Sequence, residues 1–223
     1  MKGGLILAGG KSTRFGSNKA LVRLGETPLI AHVVDIALHV ADEVVVAIGK
    51  ESSTGVYRKV LPKSVTVVKD RLRAKSPLVG ILTGFQVMKS GYSVVLSCDT
   101  PFVKDDVLKL LFKRAVHSDA AVPRWANGDI EPLQSVYKVK SVIPAARLAL
   151  HRQEFRVVDM IKRLSRVTYV PVRDIKRLDS DLMTLFNVNT HSSLRRAARH
   201  VITQGDRSSF VTSGKLDQHL CCA

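Results

Sequence analysis

The sequence predicts an α/β protein built on a mostly parallel central sheet, and three observations carry that expectation. Short apolar runs recur at Gly3 to Ala8 (GGLILA), Glu43 to Ile48 (EVVVAI) and Tyr92 to Cys98 (YSVVLSC), each the length of a strand and apolar on both faces, as parallel strands are. Segments with apolar residues at helical spacing stand between them, so strand, helix, strand, helix, strand opens the chain. Residues suited to chemistry, Gly9 with Gly10, Asp70 and Asp99, follow directly on apolar runs, and ligands of open α/β sheets bind at the carboxyl edge of the strands.

The elements follow in order. After the first strand, Pro28 to Ala41 is the first crossover helix, opened by a proline suited to a first turn. Glu43 to Ile48 is the second strand, Thr54 to Leu61 a helix ending before Pro62, and Val65 to Lys69 the third strand. The polar stretch Asp70 to Pro77 leads to a helix over Leu78 to Lys89, where Leu78, Ile81, Leu82, Phe85 and Met88 share one face. Tyr92 to Cys98 is the fourth strand, Lys104 to Val116 an amphipathic helix, Asp119 to Pro123 a fifth strand. A turn over Arg124 to Ile130 precedes Gln134 to Val139, whose alternation predicts an antiparallel strand at the sheet edge. Ser141 to Leu150 is read as a helix with Pro144 in its first turn, Phe155 to Leu164 as another helix, Arg166 to Val172 as a strand and Arg173 to Asp181 as a polar stretch. Thr190 is the expected N-cap of a closing helix over Ser193 to Ile202. From Thr203 the period vanishes, so residues 1–203 form one domain and 204–223 a flexible tail.

The stretch from Leu7 to Leu21 joins the first strand to a loop suited to a polyphosphate. Two adjacent glycines, Gly9 and Gly10, allow a sharp turn with backbone N–H groups brought close to a ligand, and Lys11, Arg14 and Lys19 place three cations within nine residues. A P-loop is excluded, because the upstream glycine that Gly10-Lys11-Ser12 would need falls on Leu5. A dinucleotide fingerprint is excluded too, since the next glycine after Gly10 is Gly16. Asp99, just past an apolar strand and followed by Pro101, is suited to holding a divalent cation against phosphate oxygens, with a structural turn aspartate as the alternative. Cys98 beside it points by alternation to the opposite face, as a core thiol.

The run LAGGxSxRFGxxKALxxLGxxPLI, as it stands from Leu7 to Ile30, resembles the motif of nucleotidyltransferases with a GT-A-like, three-layer Rossmannoid fold, and specifically the molybdenum cofactor guanylyltransferases of the MobA type. The resemblance implies that the loop wraps GTP, with Leu7, Ala8, Gly9, Gly10, Lys11 and Ser12 at the nucleotide and Lys19 on its phosphates. Asp70 followed by Pro77-Leu78-Val79-Gly80-Ile81 matches a second motif, which implies that Asp70 and Gly80 help hold the guanosine; a strand-end turn is the other reading of Asp70. C-D-T-P-F, from Cys98 to Phe102, matches the metal motif, and F-N-V-N-T, from Phe186 to Thr190, resembles the last one. Asp99 and Asn187 are then the metal candidates, for Mg²⁺ with Mn²⁺ as substitute, and Glu131, Arg156 and Asn189 the acceptor-side candidates. A solvated helix arginine is the competing reading of Arg156.

The activity so implied is transfer of GMP from GTP to the terminal phosphate of molybdopterin or its molybdenum form, with Asp99, Lys19 and Arg14 as the catalytic groups. The acceptor is already an anion at neutral pH, so no general base is required. A cytidylyltransferase of the same cofactor, a guanylyltransferase for a cobinamide-type acceptor and a non-catalytic nucleotide- or RNA-binding protein are the competing readings. The sequence carries 35 Lys and Arg against 19 Asp and Glu, a net charge of +16. That field draws in a triphosphate and a phosphorylated acceptor as readily as nucleic acid, and aromatic residues at 5% are too few for a stacking platform. Other cofactor-biosynthesis proteins or molybdoenzymes are the candidate protein partners. No run approaches eighteen apolar residues and the chain enters its first strand without a charged leader, so a cytoplasmic protein with no membrane partner is expected. Three cysteines, Cys98, Cys221 and Cys222, have no metal spacing and imply no disulfide framework.

Overall fold

The computed structural model describes residues 1–9, 18–70, 72, 74 and 76–212, with side chains as far as residue 202. In chain order the elements are β1 (Lys2–Ala8), a 3₁₀ turn over Lys19–Leu21, a small hairpin of β2 (Arg23–Leu24) and β3 (Thr27–Pro28), then α1 (Leu29–Val40), β4 (Glu43–Ile48), α2 (Thr54–Arg58), β5 (Thr66–Lys69), α3 (Pro77–Phe85) and β6 (Tyr92–Ser97). There follow α4 (Asp105–Ala115), β7 (Ala120–Arg124), β8 (Gln134–Lys138), α5 (Val139–His151), α6 (Val157–Ile161), β9 (Val167–Pro171), α7 (Val172–Lys176), a second 3₁₀ turn over Met183–Leu185 and α8 (His191–Thr212).

β1 runs up the middle of the sheet, parallel to β4 on one side and to β6 on the other. The full strand order is β5-β4-β1-β6-β8-β7-β9. Alternation then divides the core into two layers. Ile6, Val46, Ile48, Val94 and Leu96 face α1 and α4, through Val33, Ala37, Leu108 and Leu111, whereas Leu5, Leu7, Val45, Ala47 and Val95 face α3, α5 and α6, through Leu78, Ile81, Val142 and Met160. Helices on both faces of a sheet are the three-layer α/β arrangement the apolar runs predict. On the second face α3 lies so close to β1 that a Cβ on Gly84 would stand 2.3 Å from Leu5 Cδ1; only glycine fits there. A third, smaller cluster gathers Leu24, Leu29, Val188 and Ala197 with Phe102, Phe186 and Leu194 packed against them.

Local chemistry accounts for most element ends. Ser76 accepts from the Leu78 N–H at 3.0 Å with Pro77 behind it, which starts α3. Asp105 and Asp106 open α4 and Lys113 with Arg114 close it, each charge opposing the helix dipole. Thr190 Oγ1 accepts from the Ser193 N–H at 3.1 Å, the N-cap the sequence predicts.

Four expectations are corrected. β8 is antiparallel, but it is no edge strand: it is inserted between β6 and β7. Its alternation is misleading because the small polar residue on it is satisfied internally, Ser135 Oγ donating to the Glu131 carbonyl at 2.6 Å, so Gln134 to Tyr137 are all buried. α5 begins two residues before the predicted start, which moves Pro144 out of the first turn. The carbonyl that Pro144 leaves without an N–H partner belongs to Lys140, an exposed residue, where water can take it. Part of the polar stretch after Val172 folds as α7, pinned through the buried Ile175. Finally, α8 continues to Thr212, past the predicted end of the helix; Val201 and Ile202 on it are exposed. The rest of the predicted tail, 213–223 with Cys221 and Cys222, lies outside the described residues. Among those residues no helix is long and apolar enough to cross a membrane.

Candidate functional site

The carboxyl ends of β5, β4, β1 and β6 lie side by side, and the residues past β1, β5 and β6 meet along a common edge. Past β1 comes Gly9, where an added Cβ would stand 3.2 Å from the Gly49 nitrogen and 3.4 Å from Asp70 Oδ2. Past β5 comes Asp70, held to β4 by its N–H on the Ile48 carbonyl at 2.9 Å. Past β6 come Cys98, with its N–H on the Leu7 carbonyl at 3.1 Å, and then Asp99.

Asp99 is the centre of the arrangement. It is 7% exposed, its Oδ2 is paired with Lys19 Nζ, and its Oδ1 is buried with no hydrogen-bond partner among the described residues. Lys19 comes from the 3₁₀ turn whose N-cap is Asn18; Asn18 Oδ1 accepts from the Ala20 N–H at 3.2 Å. Lys19 Nζ also donates to Asn189 Oδ1 at 2.6 Å. The segment bearing Asn189 is laid against Asp99 by the Val188 N–H, which donates to the Asp99 carbonyl at 2.8 Å. Asp99, Lys19 and Asn189, up to 170 residues apart in sequence, thus form one cluster.

Asp70 is the second unsatisfied carboxylate. Its Oδ1 is buried without a partner; burial raises its pKa, and a hydrogen bond with Thr83 only partly offsets that. Buried polar groups are nearly always paired; the two other carboxylate oxygens buried without a hydrogen bond, on Glu154 and Asp179, are ion-paired with Arg163 and Lys104, so those of Asp70 and Asp99 are the ones left open to a partner from outside the described residues. Cys98, by contrast, belongs to the core. Burial, then the Asp99 charge, push its thiol up to about 12 against a smaller opposing effect of Lys19, so it stays protonated.

The other predicted residues are placed as follows. The Leu7 carbonyl is used by Cys98 and the Ala8 carbonyl by the Tyr57 hydroxyl at 3.3 Å. Gly80 lies inside α3, buried, where an added Cβ would stand 3.1 Å from Leu7 Cδ2; the helix–sheet contact accounts for this glycine, and its carbonyl points along the helix rather than toward the sheet edge. Asn187 donates its amide to the Leu185 carbonyl at 3.2 Å, closing the preceding 3₁₀ turn. The asparagine brought to Lys19 is therefore Asn189, which the sequence assigns to the acceptor side, and not Asn187. Glu131 accepts from Trp125 Nε1 at 2.8 Å and so fastens the turn between β7 and β8. Arg156 is exposed at the N-cap of α6, and the Ser76 hydroxyl, donating to the Phe155 carbonyl, ties that corner to the start of α3. Gly10, Lys11, Ser12 and Arg14 lie outside the described residues. Sequence reading missed Asn18, Tyr57 and Thr83, since their partners lie far away along the chain.

The donor set also tests a metal. Among the described residues no group of three or more His, Cys, Asp and Glu side chains could hold an ion, which speaks against a protein-built cage. An orphaned carboxylate oxygen at Asp99 fits Mg²⁺, which takes one or two carboxylates and fills its other positions with waters and substrate phosphates.

The MobA-like NTP transferase domain model matches residues 4–167 of the chain. A probable molybdenum cofactor guanylyltransferase of Methanosarcina mazei is 31% identical over 201 residues, covering 88% of this chain and 89% of its own. The molybdenum cofactor guanylyltransferase of Desulfosudis oleivorans is 31% identical over 196 residues, 87% of this chain and 93% of its own. Among solved structures, molybdopterin-guanine dinucleotide biosynthesis protein A from Archaeoglobus fulgidus superposes with a TM-score of 0.77 at 25% identity, over 91% of this chain and 100% of that one.

Proposed function

Since the chain belongs to the MobA-like NTP transferase family and is a nucleotidyltransferase, we propose that it transfers GMP from GTP to the terminal phosphate of molybdopterin or its molybdenum form. An oxygen of the acceptor phosphate forms a bond to the α-phosphorus, the bond from that phosphorus to the bridging oxygen breaks, and pyrophosphate leaves. The acceptor oxygen is ionised at neutral pH, so the protein has charge to neutralise and groups to align, not a proton to remove. The observation that carries this reading is Asp99, with one oxygen on Lys19 and the other buried and unpaired.

Asp99 holds Mg²⁺ in this reading, and the ion when bound neutralises phosphate oxygens as a Lewis acid. Lys19, kept beside Asp99 by Asn189, offers its charge to the leaving pyrophosphate. Arg14 is assigned the same role, and Lys11 and Ser12 are assigned to the nucleotide on the strength of the sequence motif. Asp70 accepts from the ribose or base through its orphaned Oδ1. Arg156 meets the acceptor phosphate through a guanidinium able to bind it bidentately, and Glu131 shapes the acceptor side through its hold on Trp125.

The test is kcat/KM for GTP, CTP and ATP with molybdopterin as acceptor, products read by mass spectrometry. GTP is expected to lead CTP by about 10² or more, because the buried, unpaired Asp70 Oδ1 can accept from a guanine N1–H or 2-amino group, donors that a pyrimidine lacks. A preference for CTP overturns the guanylyl assignment. Absence of turnover with all three overturns the choice of acceptor.

A further inference from the structure

Tyr57 is among the largest fully buried side chains, at 1% exposure, and it stands on α2, outside the cluster around Asp99. Its hydroxyl bonds to both sides of the joint, with the Ser52 side chain also beside it. It donates to the Ala8 carbonyl at 3.3 Å, the last residue of β1, and accepts from Asn18 Nδ2 at 2.8 Å. The Ala20 N–H, on Asn18 Oδ1, fixes which end of that amide is nitrogen. One phenol therefore joins the residue where β1 ends to the residue that caps the turn bearing Lys19.

We propose that Tyr57 is a positioning residue for Lys19: through Asn18 it sets the 3₁₀ turn against the end of β1, and that register brings Lys19 Nζ onto Asp99 and Asn189. Short-range geometry supports the coupling. Asn18 and Lys19 are adjacent, so a displaced cap rotates the turn and moves the ammonium with it. Burial gives the joint its stiffness, since water cannot replace the phenol at a site 1% exposed. The phenol itself takes no part as an acid, because burial raises its pKa above the ordinary tyrosine value. The kinetic part of this inference rests on the nucleotidyl-transfer reading; the structural part does not.

The experiment uses the full chain with Tyr57→Phe, which keeps the ring, and Asn18→Ser, which keeps an N-cap oxygen for the Ala20 N–H but removes the Nδ2 donor to the phenol at an exposed residue, and so covers the case in which the first variant fails to fold. Lysines are labelled with an isotope-coded amine-acylating reagent and read by mass spectrometry, which needs no substrate. Lys19, 16% exposed and ion-paired in the native protein, is expected to label several-fold faster in both variants, with Lys104 unchanged as internal control. In the transfer assay kcat should fall about tenfold, the worth of one buried hydrogen bond, with the KM for molybdopterin unchanged. A lower melting midpoint with native Lys19 labelling and native kcat would make Tyr57 a structural residue only and overturn the proposal. If the native enzyme transfers nothing, the transfer reading fails, and the labelling still decides on Tyr57.

Discussion

The two halves of the sheet treat their polar groups in opposite ways. In the parallel half, β5-β4-β1-β6, the carboxylates at the strand ends are left incomplete: Asp70 and Asp99 each bury an oxygen with no partner among the described residues. In the other half, β8-β7-β9, the polar groups are closed on one another. Glu131 holds Trp125, Tyr137 donates to the Pro132 carbonyl at 2.8 Å, and Asp119 accepts from Ser141 and from the Ser165 and Arg166 N–H groups. Leaving a buried acceptor unpaired costs free energy that pairing recovers. The difference teaches that the first half keeps buried acceptors open at its strand ends, as the proposed nucleotide and cation sites require, while the second is closed on itself as a scaffold.

The largest effect that tests this contrast is expected at Asp99. Asp99→Asn removes the charge while keeping the size, so pyrophosphate release at saturating Mg·GTP and molybdopterin should fall by about 10²–10³ with the fold intact by circular dichroism. Retention of more than about a tenth of the native rate would move the chemistry away from the parallel half.

Asp70 should show a smaller, two-signed effect. Its pKa is raised in the folded protein by burial, so the native state binds that proton more readily than the unfolded chain, and ionising Asp70 costs stability as pH rises from the ordinary value of 3.8 through the folded one. Asp70→Asn removes the charge that bears this cost. We expect a higher melting midpoint at neutral pH, a gain that shrinks at acid pH, and Mg·GTP bound about tenfold more weakly by calorimetry. A variant that is both less stable and fully active would make Asp70 a strand-end turn residue.

Asp119 belongs to the closed half and should affect stability alone. The Ser141 hydroxyl, first, and the Arg166 and Ser165 N–H groups hold its carboxyl below the ordinary 3.8, against a desolvation effect of the opposite sign. Its contribution is thus fully present above that value and is lost as pH falls through the lower, folded one. Asp119→Asn, with a single acceptor oxygen, should lower the melting midpoint by about 2–4 °C at neutral pH. It should also flatten the acid limb of the stability profile and leave kcat native. A loss of turnover would show that the scaffold half is not independent of the chemistry.

What the sequence by itself determined is whatever depends on neighbours along the chain. The apolar runs of β1, β4 and β6 read as strands because their residues are buried on both faces. Thr190 reads as a cap because its bond closes on Ser193, three residues ahead. Asp99 stood out because a carboxylate directly after a buried strand is brought to the sheet edge by the strand itself. Tertiary structure alone decided the rest, since those outcomes depend on which distant segment arrives. Insertion of β8 between β6 and β7 is a pairing across the sheet that no local alternation distinguishes from an edge. The choice of Asn189 over Asn187 follows from Val188, whose N–H seats the segment on Asp99 while Asn187 turns back to Leu185. Gly80 serves the packing of α3 on Leu7, a contact between a helix and a strand more than 70 residues earlier. Tyr57, 39 residues from Asn18, had no signal at all in the sequence: a phenol on a short helix becomes a joint only when the sheet has already placed the end of β1 beneath it.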